Sequence, residues 1–598
     1  MSIQKYEVNQ YMIGSILSKV REGEIAIPEI QRPFVWDASQ VRDLLDSLYK
    51  GYPVGYLIAW RNPDIKLKDG STAQGRMILI DGQQRVTALT AAVLGQQVVN
   101  KDYRKVHIRI AFNPVKEEFK VADAAIVKDA AWIPDVSAII GGKVSLLKAV
   151  RDYQKANPDV AEEQIENALT ALGDVAKKQV GLIELAHDLD IETVTEIFIR
   201  INSKGTVLSQ ADFVMSKIAA DSKYGGPALR KAIDYFCHLA VEPGFHAQIK
   251  EHDPDFSATD YFPKMAWLKA DNEDLYDPSY VDVLRVTFGT EFGRGKLSDL
   301  VSLLSGRNFV TKQYEEDIAE KSFQKMSEGV YRYINETHFK RFVIIIKSAG
   351  FIVNAMVRSQ NALNFAYALY LGLRRKGLDE AVIESLVRRW FVLSILTGRF
   401  SGAAESQFEK DIRLVEEPDF AAVLARTEQA ELSDAYWEFG LVQSLEVSAT
   451  SHPLFWVFVA AQIKANDKGL LSTDVTVQQL VSLLGDVHHI FPRQMLKDAG
   501  KTRSEYNQIA NYVYTQDSIN IKIGSKSPHV YFAGVLAQCD GGTLKYGAIS
   551  TRATLTENLS ANCLPESVLT MTKDDYPEFL RQRRKLMAEK IKTYYFAL

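Results

Sequence analysis

From about Gly225 to Ala430 the apolar residues recur at helical spacing, as in "KRFVIIIKSAGFIVNAMV", "LNFAYALYLGLRR" and "AVIESLVRRWFVLSILTG". Each such helix has an apolar stripe that must be buried against others like it, which favours helix-on-helix packing over a sheet. A helical connector, residues 226–430, is therefore expected in the middle of the chain. The flanking parts read differently. Before it, short apolar runs alternate with helical patterns: "EIAIPEIQRPFVW" reads as strand and turn, "YLIAW", "RMILI" and "KVHIRIAF" as strands. Helices dominate from about Ile126 to Ala220, with one further strand expected at "ETVTEIFIRIN". Asp37 offers a capping-box start to a helix that carries Val41, Leu44, Leu45 and Leu48 on one face. Residues 1–225 thus form an α/β or α+β part. Residues 431–598 hold a helix through "PLFWVFVAAQI", a mixed stretch to about Ser560 and a final helix, "YPEFLRQRRKLMAEKIKTYY".

A chain of 598 residues is too long for one hydrophobic core, and at about 150 residues per domain two to four domains follow. No low-complexity linker and no repeat of 20 to 50 residues divides it. A formal net charge of -4 argues against a protein that is basic all over, so nucleic-acid contacts must come from local patches. Two stretches supply candidates: Arg374, Arg375, Lys376, Arg388, Arg389 and Arg399 in the middle, and Arg581, Arg583, Arg584, Lys585, Lys590 and Lys592 in the last helix. Rows of this kind track phosphates or form a solvated face paired with acids, and for single residues the second reading is favoured. Cys237, Cys539 and Cys563 have no metal-knuckle spacing and read as reduced thiols of a cytoplasmic protein. The first residues lack a signal-peptide layout, and charges interrupt every apolar run before about 18 residues, so no membrane span is expected.

Two constellations carry chemistry. "ILIDGQQRVTAL" sets Asp81, Gly82, Gln83, Gln84 and Arg85 at a strand-to-helix junction. A helix amino terminus offers N–H groups and positive dipole to an anion, Gly82 lets a phosphate approach the backbone, and Arg85 can grip it in a fork. The same residues would also serve as an ordinary Asp-Gly turn with Arg85 on a neighbouring carboxylate. There is no G-x-x-x-x-G-K-[ST] in the chain, so a nucleotide site here would not be a P-loop.

The other is "GDVHHIFPR", with His488 and His489 side by side ahead of Pro492 and with Asn511 and Asn520 downstream. A metal-dependent phosphodiesterase needs a base for water, a hard cation against the developing charge and a rigid polar frame. Neighbouring side chains of a regular strand point to opposite faces, so an irregular strand end is expected if both rings reach one phosphate. This segment resembles the HNH or His-Me finger nucleases, in the branch with a His-Ile-x-Pro first motif. The resemblance implies a ββα-metal unit in which His489 is the general base, Asn511 orients it, and His488 and Asn520 bind the metal. His488 stands where that family usually has Asp or Glu, which widens the metal choice from Mg²⁺ towards Mn²⁺, Ni²⁺ or Zn²⁺.

"IPEIQRPFVWDASQVRDLLDSLYKGYPVG" and "IFIRINSKGTVLSQADF" accompany the Asp81 to Arg85 motif. Together they resemble the ParB/sulfiredoxin-like amino-terminal domains of GmrSD-type, modification-dependent (type IV) restriction systems, in which a His-Me finger domain follows. That resemblance implies nucleoside triphosphate binding and hydrolysis by Asp81, Gly82, Gln83, Gln84 and Arg85, with Gln31 and Arg32 facing the same pocket and Arg200, Asn202 and Gly205 as a second wall. The expectation is a multidomain α+β, predominantly helical protein: a nucleotide-binding sensor part (1–225), a helical connector (226–430) and an HNH nuclease part (431–598). It would cut double-stranded, modified phage DNA with a divalent metal under nucleotide control, and a homodimer would let two nuclease domains reach both strands. The rival readings are a modified-DNA sensor or regulatory NTPase that does not cut, and a nuclease toxin.

Overall fold

A computed structural model describes residues 6–22, 24–26, 36–61, 77–99, 105–186, 197, 210–221, 223–270, 273–304, 306–311, 315–483 and 487–598. The chain splits into two compact units, one of Met1–Asp271 with Val301–Gln324 and the other of Asn272–Leu300 with Lys325–Leu598. The division into 1–225, 226–430 and 431–598 follows the character of the sequence; contact density draws its lines elsewhere. Helices predominate and the sheets are small, as expected of a multidomain α+β chain.

The first unit is built on a mixed sheet. Its strands are β1 (Tyr6–Met12), β2 (Ile25–Ala26), β3 (Leu57–Arg61), β4 (Met77–Asp81) and β9 (Gln179–Leu185), in the order β1-β9-β3-β4-β2. Between them in sequence come two small ribbons, β5 (Val98–Val99) with β6 (Lys105–Val106) and β7 (Ile110–Asn113) with β8 (Glu118–Val121). Central β3 runs antiparallel to β4 and parallel to β9, with its register shifted between Ile58 and Ala59. The strands expected at "YLIAW" and "RMILI" are β3 and β4. β1 and β9 lie where no strand was expected, since "YEVNQYM" and "QVGLIEL" are too short and too polar on one face to stand out from the helical patterns around them.

Three of the helices that build this unit's core are α1 (Ile13–Arg21), α2 (Ala38–Tyr49) and α3 (Gln83–Leu94). α2 begins as expected, with the Asp37 side chain accepting from Gln40 N and the Gln40 side chain accepting from Asp37 N. Its Val41, Leu44, Leu45 and Leu48 are buried together with Ala88, Ala91 and Ala92 of α3. Leu57, Ala59, Met77 and Leu79 of the sheet bury against Ile16 and Val86. The strand expected at "ETVTEIFIRIN" lies outside the described residues.

Among its described residues the second unit is helical apart from one hairpin. Helices Glu336–Ser348, Gln360–Arg375 and Glu380–Leu396 realise the three apolar segments of the middle. The first ends sooner than its periodicity suggests, because Gly350 takes φ +95 and a Cβ there would lie 2.6 Å from the Ala460 carbonyl oxygen. The hairpin is β10 (Val487–His489) with β11 (Tyr512–Tyr514), followed at once by the helix Asp517–Ile523. The terminal helix, Tyr576–Phe596, packs behind it: Phe491 meets the rings of Tyr576 and Phe579 at 5.2 and 4.7 Å between centroids. Among the described residues no helix is long and apolar enough to cross a membrane.

Candidate active site

β10 is short but regular. Val487 faces Tyr514, His488 faces Val513 and His489 faces Tyr512 across the hairpin. Strict alternation therefore holds at the two histidines, contrary to the irregular strand end expected from Pro492, and each ring has its own partner. His489 Nε2 lies 3.0 Å from Asn507 Oδ1, and its ring meets the edge of Tyr512 at 5.1 Å. His488 Nε2 lies 3.3 Å from Asp517 Oδ1, on the first turn of the helix that follows the hairpin. The His488–Asp517 separation is that of an ion pair, yet the buried Nε2 makes no hydrogen bond. The two rings still sense one another: burial pushes the His489 pKa below the ordinary imidazole value, the charges of Arg493 and His488 add to this, and the Asn507 bond opposes it.

Asn511 is fully buried and makes no hydrogen bond to the His489 ring. Its Oδ1 accepts from Phe491 N at 2.8 Å, and its Nδ2 donates to the carbonyls of Phe491 at 3.1 Å and Tyr506 at 3.2 Å. The direct hold on the imidazole thus comes from Asn507, while Asn511 fixes the backbone two residues further on. Asn507 escaped the sequence reading because nothing in "RSEYNQIANY" separates one asparagine from the other; only the chain's path past His489 does. Asn520 stands one turn after Asp517, so the two share a stripe of the helix Asp517–Ile523. Asp517 was also missed, since a helix-opening acid is commonplace at that position.

A divalent cation fits this donor set on one observation: the buried, unbonded His488 Nε2 faces the exposed carboxylate of Asp517. Among the described residues no group of three or more His, Cys, Asp and Glu gathers as a metal cage. Asn520 would add an amide oxygen, leaving further positions to phosphate and water.

The frame behind the hairpin includes residues that the sequence offered as a DNA-tracking row. Arg583 is fully buried and donates to Ala510 O at 2.9 Å, Tyr512 O at 2.7 Å and Asn562 O at 3.2 Å. Burial draws its pKa down to about 10. Arg584 pairs with Glu446, Lys590 with Asp467, Arg581 with Glu578 and Lys592 with Asp434. The middle row is likewise engaged: Arg374 with Glu380, Arg375 with Glu416, Lys376 with the Glu417 carbonyl, Arg388 with the Leu598 carbonyl, Arg389 with Glu428 and Arg399 with Asp411 and Glu431. Apart from Arg581 and Glu578, which lie in the same helix, and Arg374 and Glu380, on successive helices, these pairs bring together residues distant in sequence.

In the first unit, Gly82 joins β4 to α3 with φ +91, and a Cβ there would lie 2.3 Å from Leu57 Cδ2. Only glycine satisfies both conditions. No side chain caps the first turn of α3. Arg85 turns inward, with Nη1 donating to Val54 O at 2.9 Å and Nη2 to Asp81 Oδ2 at 3.2 Å. Its burial lowers its pKa, and Asp81 works against that. Gln83 is buried with its amide 3.3 Å from Leu79 O, and Gln84 is half-buried. In this structure Asp81 and Arg85 satisfy each other and brace the loop before β3. Gln31, Arg32, Arg200, Asn202 and Gly205 lie outside the described residues.

Comparison with known proteins speaks to the first unit. Residues 13–219 match the family model described as the GmrSD restriction endonuclease, N-terminal domain. The match covers about a third of the chain and makes that part similar to the N-terminal domain of a restriction endonuclease family. The chain is also 21% identical to the uncharacterized protein MJ0686 of Methanocaldococcus jannaschii, over 96% of this chain and 97% of the relative.

Proposed function

We propose that this protein is a metal-dependent DNA endonuclease of modification-dependent (type IV) restriction, whose His-Me finger lies in the β10–β11 hairpin and the helix after it. One observation carries the reading: His489, half-buried and with a lowered pKa, is gripped at Nε2 by an amide oxygen. An oxygen acceptor at that nitrogen makes Nε2 the protonated one and leaves the lone pair on Nδ1. His489 is then neutral at pH 7 and ready to take a proton from water as the water attacks phosphorus. His488, Asp517 and Asn520 would hold a divalent cation such as Mg²⁺, Mn²⁺ or Ni²⁺. When bound, that ion supplies charge to stabilise the pentacoordinate phosphate and the leaving oxygen. Asn507 keeps the tautomer, Asn511 holds the strand end, and Arg583 ties β11 to the terminal helix.

The first unit would bind and hydrolyse a nucleoside triphosphate and so regulate cutting. The uncapped amino terminus of α3 behind Gly82 supports this as an anion site. Arg85 would have to exchange Asp81 or the Val54 carbonyl for phosphate. A protein that senses modified phage DNA without cutting it is the second reading, kept by the replacement of a metal-binding carboxylate with His488. A cytoplasmic location and a homodimer are part of the proposal.

The test is cleavage of unmodified, glucosylated hydroxymethylcytosine and phosphorothioate DNA, with Mg²⁺ or Mn²⁺, with and without nucleotide, by wild type and His489→Ala. Cutting of a modified DNA that is lost in a folded His489→Ala protein is the expected result. Equal cutting by the variant would remove His489 from the chemistry; DNA-stimulated nucleotide hydrolysis with no cutting would favour the sensor.

A further inference from the structure

Beside the metal-binding stripe of the helix Asp517–Ile523 lies an open cleft of about 280 Å³, lined by Ser472, Thr473, Asp474, Gln516, Ser518 and Lys522 among others. Its floor is rigid. Leu471, before the Ser472 wall, takes φ +58, a conformation that a branched side chain adopts only when its surroundings impose it. Here they do: Asn558 accepts from Leu471 N at 2.8 Å and donates to Gly469 O at 3.0 Å and Ser472 O at 3.2 Å. Thr515 donates to Leu470 O at 2.7 Å. Gly547 approaches so closely that a Cβ would fall 2.1 Å from Leu471 O. Ser472 in turn donates to Gln516 Oε1 at 3.1 Å, immediately before Asp517.

One short helix therefore presents Asp517 and Asn520 on one stripe and Ser518 and Lys522 on the next. From Asp517 to Lys522 the rise is about 7.5 Å. The lining mixes hydroxyls, an amide, a carboxylate and one ammonium, and among the residues lining it none is aromatic. That combination suits a sugar-phosphate and the polar edge of a base rather than a stacked ring. The volume falls short of the range usual for drug-sized ligands, about 300 to 1,000 Å³.

We propose that this cleft receives the nucleotide next to the scissile phosphate. Lys522 contacts that nucleotide's own phosphate, the Ser472, Thr473 and Ser518 hydroxyls and Gln516 meet sugar and base edge, and Asp474 accepts from an exocyclic amino group. The assignment rests on the nuclease reading, and it adds a strand-holding subsite that the reaction centre itself does not contain.

The experiment measures the affinity of the full-length protein for a short fluorescein-labelled DNA duplex across a salt series, in wild type, Lys522→Gln and Ala548→Trp. Ala548 is exposed at the cleft, so a tryptophan there fills it without disturbing the core. Lys522→Gln should weaken binding about tenfold at low salt and reduce the slope of log Kd against log salt by about one. Ala548→Trp should weaken binding to a similar degree with the slope retained. Unchanged affinity and slope in both variants would refute the subsite, as would competition of DNA from the cleft-dependent site by free nucleoside triphosphate. A wild type that never cuts, with both variants still weakened in binding, would refute the nuclease reading and leave the cleft as a DNA contact.

Discussion

If His489 is the base, as proposed, its contact with Asn507 sets which nitrogen is free, so changing Asn507 should alter the pH dependence as well as the rate. Asn507→Ala should lower kcat by about 10²-fold, the lower end of what a positioned base contributes, with KM little changed. Asn507→Asp puts a carboxylate on Nε2 and should raise the imidazole pKa. In wild type, acidification protonates His489 only below its lowered pKa, so the acid limb of kcat should lie under the ordinary value of about 6.5; in Asn507→Asp it should move to higher pH. Coincident acid limbs in the two proteins would leave Asn507 a packing residue. If His488 and Asp517 hold the metal, as proposed, His488→Ala and Asp517→Ala should each raise the Mn²⁺ concentration for half-maximal cutting by at least about tenfold, since even outer partners of a metal ligand commonly matter that much.

The β4–Gly82–α3 junction and the hairpin backed by the terminal helix each offer a residue whose replacement should be felt in stability. Gly82→Ala imposes a left-handed backbone on alanine and drives its Cβ against Leu57; a loss of about 2 kcal/mol is expected, read as a lower thermal midpoint. A midpoint equal to wild type would mean that the junction relaxes at no cost. Arg583→Met keeps the bulk but orphans the carbonyls of Ala510, Tyr512 and Asn562. Leaving a buried acceptor unsatisfied costs about 1 to 3 kcal/mol, so circular dichroism melts should shift downwards and cleavage should fall with them.

Across the full chain, two chemistries are proposed on two separate compact units, and they should be separable by mutation. His489→Ala should lose cutting while nucleotide binding, measured by calorimetry, stays as in wild type. Chelation by EDTA should stop cutting and be reversed by Mg²⁺ or Mn²⁺ in excess. Loss of nucleotide binding in His489→Ala would show that the activities are not independent.

Much of the fold is local and was legible in the order of residues. The Asp37 capping box, the apolar stripe of α2, the strand β4 running through Gly82 into α3, the helices of the middle and the final helix all follow from periods and caps that span a few residues. The strand–strand–helix order around His488 and His489 was expected through the resemblance of the His-His-Ile-x-Pro segment, not from periodicity. What the sequence left open were partners far apart along the chain: Asn507 rather than Asn511 on the His489 ring, Asp517 opposite His488, and Arg85 closing on Asp81 and Val54. It also left open Arg583, whose place in "RQRRK" suggests a solvated face, while packing of the terminal helix against the hairpin buries it completely. Periodicity reports which face of an element is apolar; it carries no record of which other element arrives there, and hydrogen-bond partners are settled only on arrival.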